Sequence, residues 1–123
     1  TKHILVVEDD SDIRELLTYT LEREGWSVTA VGSAEDALEH LNQPGIGLVV
    51  LDLMLPDLDG LDLCRRLRAG ARTAELPVIM VTALNDPKTV VRAYYKGGAA
   101  AYLPKPIEVE SLHAILRDLG LIE

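Results

Sequence analysis

The 123-residue sequence has one cysteine, Cys64, and 12 Lys and Arg against 20 Asp and Glu, a formal net charge of −8. It also lacks any apolar run near the roughly 20 residues that cross a bilayer. A lone cysteine excludes an internal disulfide and suits a reducing compartment. The first residues do not follow the charged, apolar and small-residue order of a signal peptide, so the expectation is a cytoplasmic protein with no membrane insertion. The shortage of clustered cations argues against direct binding of nucleic acid by this chain, because a phosphate backbone is held by grouped Lys and Arg. His3, His40 and His113 show no metal-ligand spacing. Gly45 and Gly47 precede an apolar run instead of following one, so they read as a turn and not as a nucleotide loop.

An apolar fraction of 48% with 26% charged residues is ordinary for a globular protein, and the length suits one domain over residues 1–123. Five short runs have strand length and aliphatic or β-branched content: His3–Val7, Ser27–Val31, Leu48–Leu51, Val78–Val81 and Ala101–Leu103. Helical spacing separates them. Ile13, Leu16, Leu17 and Leu21 predict a first helix, started by Ser11 or Asp12 and ended by Gly25. Ser33 with Asp36 opens a second through Ala37, Leu38 and Leu41. A third follows Gly60 with a stripe of Leu61, Cys64 and Leu67, and its polar face carries Arg65, Arg66 and Arg68. A fourth starts near Asp86 and Pro87, and a fifth near Glu108 runs through Leu112, Ile115, Leu116 and Leu119. Trp26, after Gly25, is placed at a core edge, and Cys64 in the core. Strands alternating with helices imply a parallel sheet with right-handed crossovers and helices on both faces, the doubly wound α/β class.

In the stretch VVLDLMLPDLDG, Val49 to Gly60, a buried-strand sequence runs straight into Asp52. An ionised carboxylate in an apolar setting is costly unless water, a cation or a hydrogen-bonding group meets it. Ligand crevices of doubly wound sheets lie beyond the carboxyl ends of the strands. There the sequence places Glu8, Asp9 and Asp10 after the first strand, Asp52 after the third, Thr82 and Ala83 after the fourth, and Lys105 and Pro106 after the fifth. Crowded carboxylates call for a neutralising cation, and hard oxygen donors suit magnesium.

The segments ILVVEDD (Ile4–Asp10), LDLMLPDLDG (Leu51–Gly60), LPVIMVTA (Leu76–Ala83) and YLPKP (Tyr102–Pro106) together resemble the receiver domain of two-component response regulators, over nearly the whole chain. The resemblance implies a flavodoxin-like (βα)5 fold, a five-stranded parallel sheet with helices on both faces. It implies a phosphorylation-controlled switch and not an enzyme proper, taking a phosphoryl group onto Asp52 from a sensor histidine kinase or phosphotransfer protein. Asp9 would bind Mg2+ directly, Glu8 mostly through water, with Asp52 and the Met54 carbonyl as further ligands. Thr82 and Lys105 would hold phosphoryl oxygens, beside small Ala83, and Lys105–Pro106 is a candidate cis bond aiming the ammonium into the site. Tyr102 would be the aromatic switch, acting with Thr82 on a face made by the fourth helix, fifth strand and fifth helix, where Tyr94 and Tyr95 also lie. That face would control an output domain or downstream protein, and a homodimer is left open. Met54 and Leu84 would border the path of a hydrolytic water.

Two features depart from the family pattern. The interval from Thr82 to Tyr102 is one residue longer than usual, and Ala100 and Ala101 stand where an acidic pair is common. The last-two-helix face is correspondingly poor in charges that would pair across a dimer. A receiver-like module that is never phosphorylated is the alternative; the complete acid, Thr and Lys set favours the switch. A magnesium phosphatase would need a second acid at the position of Met54, and a flavin domain a Ser/Thr/Gly-rich loop after the first strand; neither is present. The chain ends at Glu123, soon after the fifth helix, as fits a single-domain regulator or a receiver cut from a longer protein.

Overall fold

The computed structural model describes residues 3–41, 45–55, 57, 60–71, 73–83, 88, 91, 92, 94 and 98–122. Five strands, β1 (His3–Val7), β2 (Ser27–Val31), β3 (Ile46–Asp52), β4 (Val78–Thr82) and β5 (Ala101–Pro104), form one sheet in the order β2-β1-β3-β4-β5, every pair parallel. The helices are α1 (Ser11–Arg23), α2 (Ala34–His40), α3 (Gly60–Ala69) and α4 (Val109–Asp118), the last being the one anticipated as the fifth. Lys88, Val91, Arg92 and Tyr94 are also helical, in keeping with the helix anticipated there; its start at Asp86 and Pro87 lies outside the described residues.

Side chains alternate across a strand, and here both faces are covered, so the strands are almost continuously apolar. Leu5, Val7, Val49, Leu51, Val78 and Met80 pack on one face with Leu63, Cys64 and Leu67 of α3 and Ala34 and Ala37 of α2. Ile4, Val6, Leu48, Val50, Ile79, Val81 and Leu103 pack on the other with Leu17 and Leu21 of α1, Leu112 and Leu116 of α4, and Trp26. Cys64 is in the core, as anticipated, and Trp26, expected at a core edge, is buried within the core cluster as well. Burial pushes the Cys64 thiol up, away from the reactive thiolate.

Two local expectations are corrected. The α1 N-cap is Asp10, whose Oδ1 accepts from the N–H groups of Asp12 (2.9 Å) and Ile13 (3.2 Å), and not Ser11 or Asp12. β1 ends at Val7 and the chain bends at Asp9, so the helix begins one residue earlier than capping preference alone suggests. Arg68 is half-buried, unlike Arg65 and Arg66 on the open face. It donates to the carbonyls of Ala74 (3.0 Å), Leu76 (2.7 Å) and Gly98 (2.8 Å), three acceptors brought to one guanidinium fork. Gly98 sits at φ 66°, and a Cβ there would lie 2.8 Å from Arg68 Nε, so both backbone and space require glycine.

Candidate functional site

The sheet reverses its strand order between β1 and β3: β2 lies outside β1, while β4 and β5 lie beyond β3. A crevice forms at such a reversal, beyond the carboxyl ends of the strands. Glu8 follows β1, Asp52 ends β3, Thr82 ends β4, and Lys105 follows β5. The register draws them level, with Val7 opposite Leu51, Asp52 opposite Val81 and Thr82 opposite Pro104. Parallel pairing thus converts four distant segments into one rim.

Lys105 Nζ lies 2.8 Å from Glu8 Oε1 and 3.0 Å from Asp52 Oδ2, bridging the two acids. The first contact is an ion pair without the angles of a directed hydrogen bond; the second is both. The N–H of Asp10 donates to Glu8 Oε2 at 3.0 Å, and that of Met54 to Asp52 Oδ1 at 2.9 Å. Glu8 is fully buried, Asp52 is 3% exposed and Thr82 is fully buried, whereas Asp9 is exposed. Glu8, Asp9 and Asp52 can each present a carboxylate oxygen within 4.8 Å of the others.

Burial is the main influence on the Glu8 carboxyl, raising its pKa to about 7; the Asp52 charge adds to this, while Lys105 and the Asp10 N–H oppose it. For Lys105 burial acts downward, but the pairs with Glu8 and Asp52 outweigh it and raise the pKa. One ammonium therefore pairs with two carboxylates of a cluster of three, and the buried acid is left short of compensating charge. Hard oxygen donors with excess negative charge fit a hard divalent cation.

Of the residues singled out from sequence, Glu8, Asp9, Asp52 and Lys105 come together, with Thr82 closing the adjacent strand. The Lys105–Pro106 bond is cis. Met54 binds Asp52 through its N–H, while its side chain is 58% exposed. Tyr102 pairs with Met80 inside β5 and packs half-buried on the apolar cluster below the rim, where burial raises its phenol pKa. Tyr94 is exposed; Leu84 and Tyr95 lie outside the described residues.

Two contributors carry no mark in the sequence. Asp57 accepts from the N–H groups of Ala34 and Glu35, both at 3.0 Å, tying the chain beyond Asp52 to the start of α2; these bonds hold its carboxyl below the usual range. Its partners are 22 and 23 residues away, so no local motif could reveal them. Arg14 donates Nη1 to the Glu8 carbonyl at 2.8 Å. Its partner is backbone, which no residue type advertises.

The fold is a doubly wound parallel domain with paired acids and a lysine at its topological switch point. A sequence model of the response regulator receiver domain matches residues 4–117. The transcriptional regulatory protein AfsQ1 of Streptomyces coelicolor is 42% identical over 114 residues, covering 93% of this chain and 49% of that protein. The DNA-binding response regulator MtrA of Mycobacterium tuberculosis is 39% identical over 116 residues, covering 94% of this chain and 49% of that one. A putative response regulator from Chloroflexus aurantiacus superposes with a TM-score of 0.87 at 32% identity, over 97% of this chain and 98% of that one. The chain belongs to the receiver-domain family of two-component response regulators and has its flavodoxin-like fold. It spans about half the length of the curated relatives it matches.

Proposed function

We propose that residues 1–123 form one receiver domain in which Asp52 accepts a phosphoryl group from a histidine kinase or phosphotransfer protein, with Mg2+ as cofactor. The observation that carries the reading is the double ion pair of Lys105 with Glu8 and Asp52, at 2.8 and 3.0 Å, beside Asp9. An Asp52 carboxylate oxygen attacks phosphorus as the bond to the donor's histidine nitrogen breaks, and the nitrogen leaves with that electron pair. Mg2+, when bound, would supply positive charge to the phosphoryl oxygens. Glu8, Asp9, Asp52 and the Met54 carbonyl would hold it, Asp9 as a direct ligand and Glu8 through water. Lys105 exchanges part of its pairing with Asp52 for a phosphoryl oxygen, and the Thr82 hydroxyl donates to another.

Thr82 moving toward the phosphoryl group frees room for Tyr102, which biases the face of β5 and its flanking helices toward one conformation. That face controls an output domain or downstream protein; homodimerisation is one form of output. The names of AfsQ1 and MtrA describe transcriptional and DNA-binding regulators, and an output domain beyond the shared half is the corresponding reading here. DNA binding would belong to that domain, since the charge of −8 opposes it in this one. No helix among the described residues is long and apolar enough to cross a membrane, and a cytoplasmic location accords with the kinase partner.

Intact-mass spectrometry after incubation with acetyl phosphate tests the assignment. One phosphoryl group should add to the parent with Mg2+ present and none in EDTA, and Asp52→Asn should remain unlabelled. Equal labelling of Asp52→Asn would refute it.

A further inference from the structure

Glu8 and Asp9 are consecutive, and in an extended strand consecutive side chains point to opposite faces. For both carboxylates to approach Asp52, the chain must leave the strand between them; β1 ends at Val7 and a bend follows at Asp9. The Glu8 N–H still pairs with the Val31 carbonyl at 3.0 Å, but the carbonyls of Glu8 and Asp9 have left the ladder and need other donors. Arg14, one turn into α1, reaches back over this bend: its Nη1 donates to the Glu8 carbonyl at 2.8 Å and to that of Asp9 at 3.4 Å.

A second element is shaped for that guanidinium. Gly32, just beyond β2, faces it, and a Cβ at that position would come within 3.1 Å of Arg14 Nη1 and 4.0 Å of the Glu8 carbonyl oxygen. Gly32 is not among the glycines with positive φ, so the missing side chain provides space and not an unusual backbone. The α1 N-terminus is already capped by Asp10, so the Arg14 contacts are not needed to close the helix.

We propose that Arg14 is a positioning residue of the metal site, holding the Glu8–Asp9 bend so that both carboxylates converge with Asp52. The inference rests on the magnesium reading above. Charge alone predicts the opposite of positioning here. A guanidinium close to a cation site repels a divalent ion, so removing it would tighten binding. Loss of the bend instead weakens binding, by about tenfold, the lower end of what outer-shell partners of metal ligands contribute.

Calorimetric titration of the full chain with MgCl2 separates the two, comparing the parent with Asp9→Ala, Arg14→Met and Gly32→Val. Arg14→Met keeps an apolar stem and removes the donor; Gly32→Val keeps the Arg14 charge and displaces it. Both should weaken Mg2+ binding about tenfold, whereas a merely structural role would shift the denaturation midpoint and leave the affinity unmoved. Parent-like or tighter binding by Arg14→Met overturns the proposal, and if that variant does not fold, Gly32→Val decides alone by the same criterion. A parent that binds no Mg2+, or an Asp9→Ala variant that binds like the parent, overturns the underlying metal reading and this inference with it.

Discussion

In β3, Val49, Val50 and Leu51 are 1%, 1% and 0% exposed, and Asp52, one residue on, is scarcely more so at 3%. The same degree of burial has opposite consequences. Each aliphatic side chain withdrawn from water contributes about 1.5–3 kcal/mol to the fold. A carboxylate withdrawn equally far opposes folding unless charge and hydrogen bonds compensate it. β1 repeats the contrast, Ile4 to Val7 giving way to the fully buried Glu8. The body of the sheet therefore supplies stability, and its carboxyl rim spends some of it to hold buried acids together at the strand ends.

The largest effect belongs to the body. Ile79, fully buried in the layer under α1 and α4, should lose about 3 kcal/mol on change to Ala by urea denaturation, with site geometry affected only through the fold. At the rim, Lys105→Ala strands Glu8 and Asp52 without their shared cation. A loss of about 2 kcal/mol at pH 8 is expected, less than the 3–5 kcal/mol of a fully buried pair because Lys105 is 16% exposed. That loss should shrink at pH 5, where Glu8, whose carboxyl is raised to about 7, carries a proton and the repulsion is relieved. The least effect lies away from both regions: the Asp62–Arg65 pair on α3 has half-exposed partners, so Arg65→Ala should change stability by no more than about 0.5 kcal/mol. An Arg65→Ala loss equal to that of Lys105→Ala would erase the distinction between rim and surface.

The body was legible in the sequence because its determinants are periodic. The bounds of β1 and β2 agree with their apolar runs, and β3 differs only by adding Ile46 and Gly47 before its run and Asp52 after it. The rim acids were legible once parallel strands were inferred, since parallel pairing brings the strand ends to one side. The supports were not. Asp57 and Arg68 act on backbone groups up to 30 residues away, and Arg14 on backbone carbonyls, so nothing in residue type or spacing marks them. The cap of α1 is Asp10 and not Ser11 or Asp12, because the choice among capable neighbours depends on where β1 lets go of the chain.

The rim's burden has a pH signature. Glu8 has a folded pKa of about 7 against an ordinary 4.5, so between these values the folded state holds a proton that the unfolded chain has released. Stability from this group is present below the lower value and falls as pH rises through the upper one. Replacing Asp52 by Asn removes the neighbouring charge that helps to raise Glu8.

Urea denaturation of the parent and Asp52→Asn at pH 7.5, each in EDTA and in saturating Mg2+, tests whether the rim opposes the fold that carries it. In EDTA, Asp52→Asn should be the more stable by about 1 kcal/mol, because it removes the like charge beside Glu8 and leaves Glu8 and Lys105 as a balanced pair. Mg2+ should then stabilise the parent more than the variant and close the gap. An Asp52→Asn protein less stable than the parent in EDTA, with no difference in their response to Mg2+, would contradict the account.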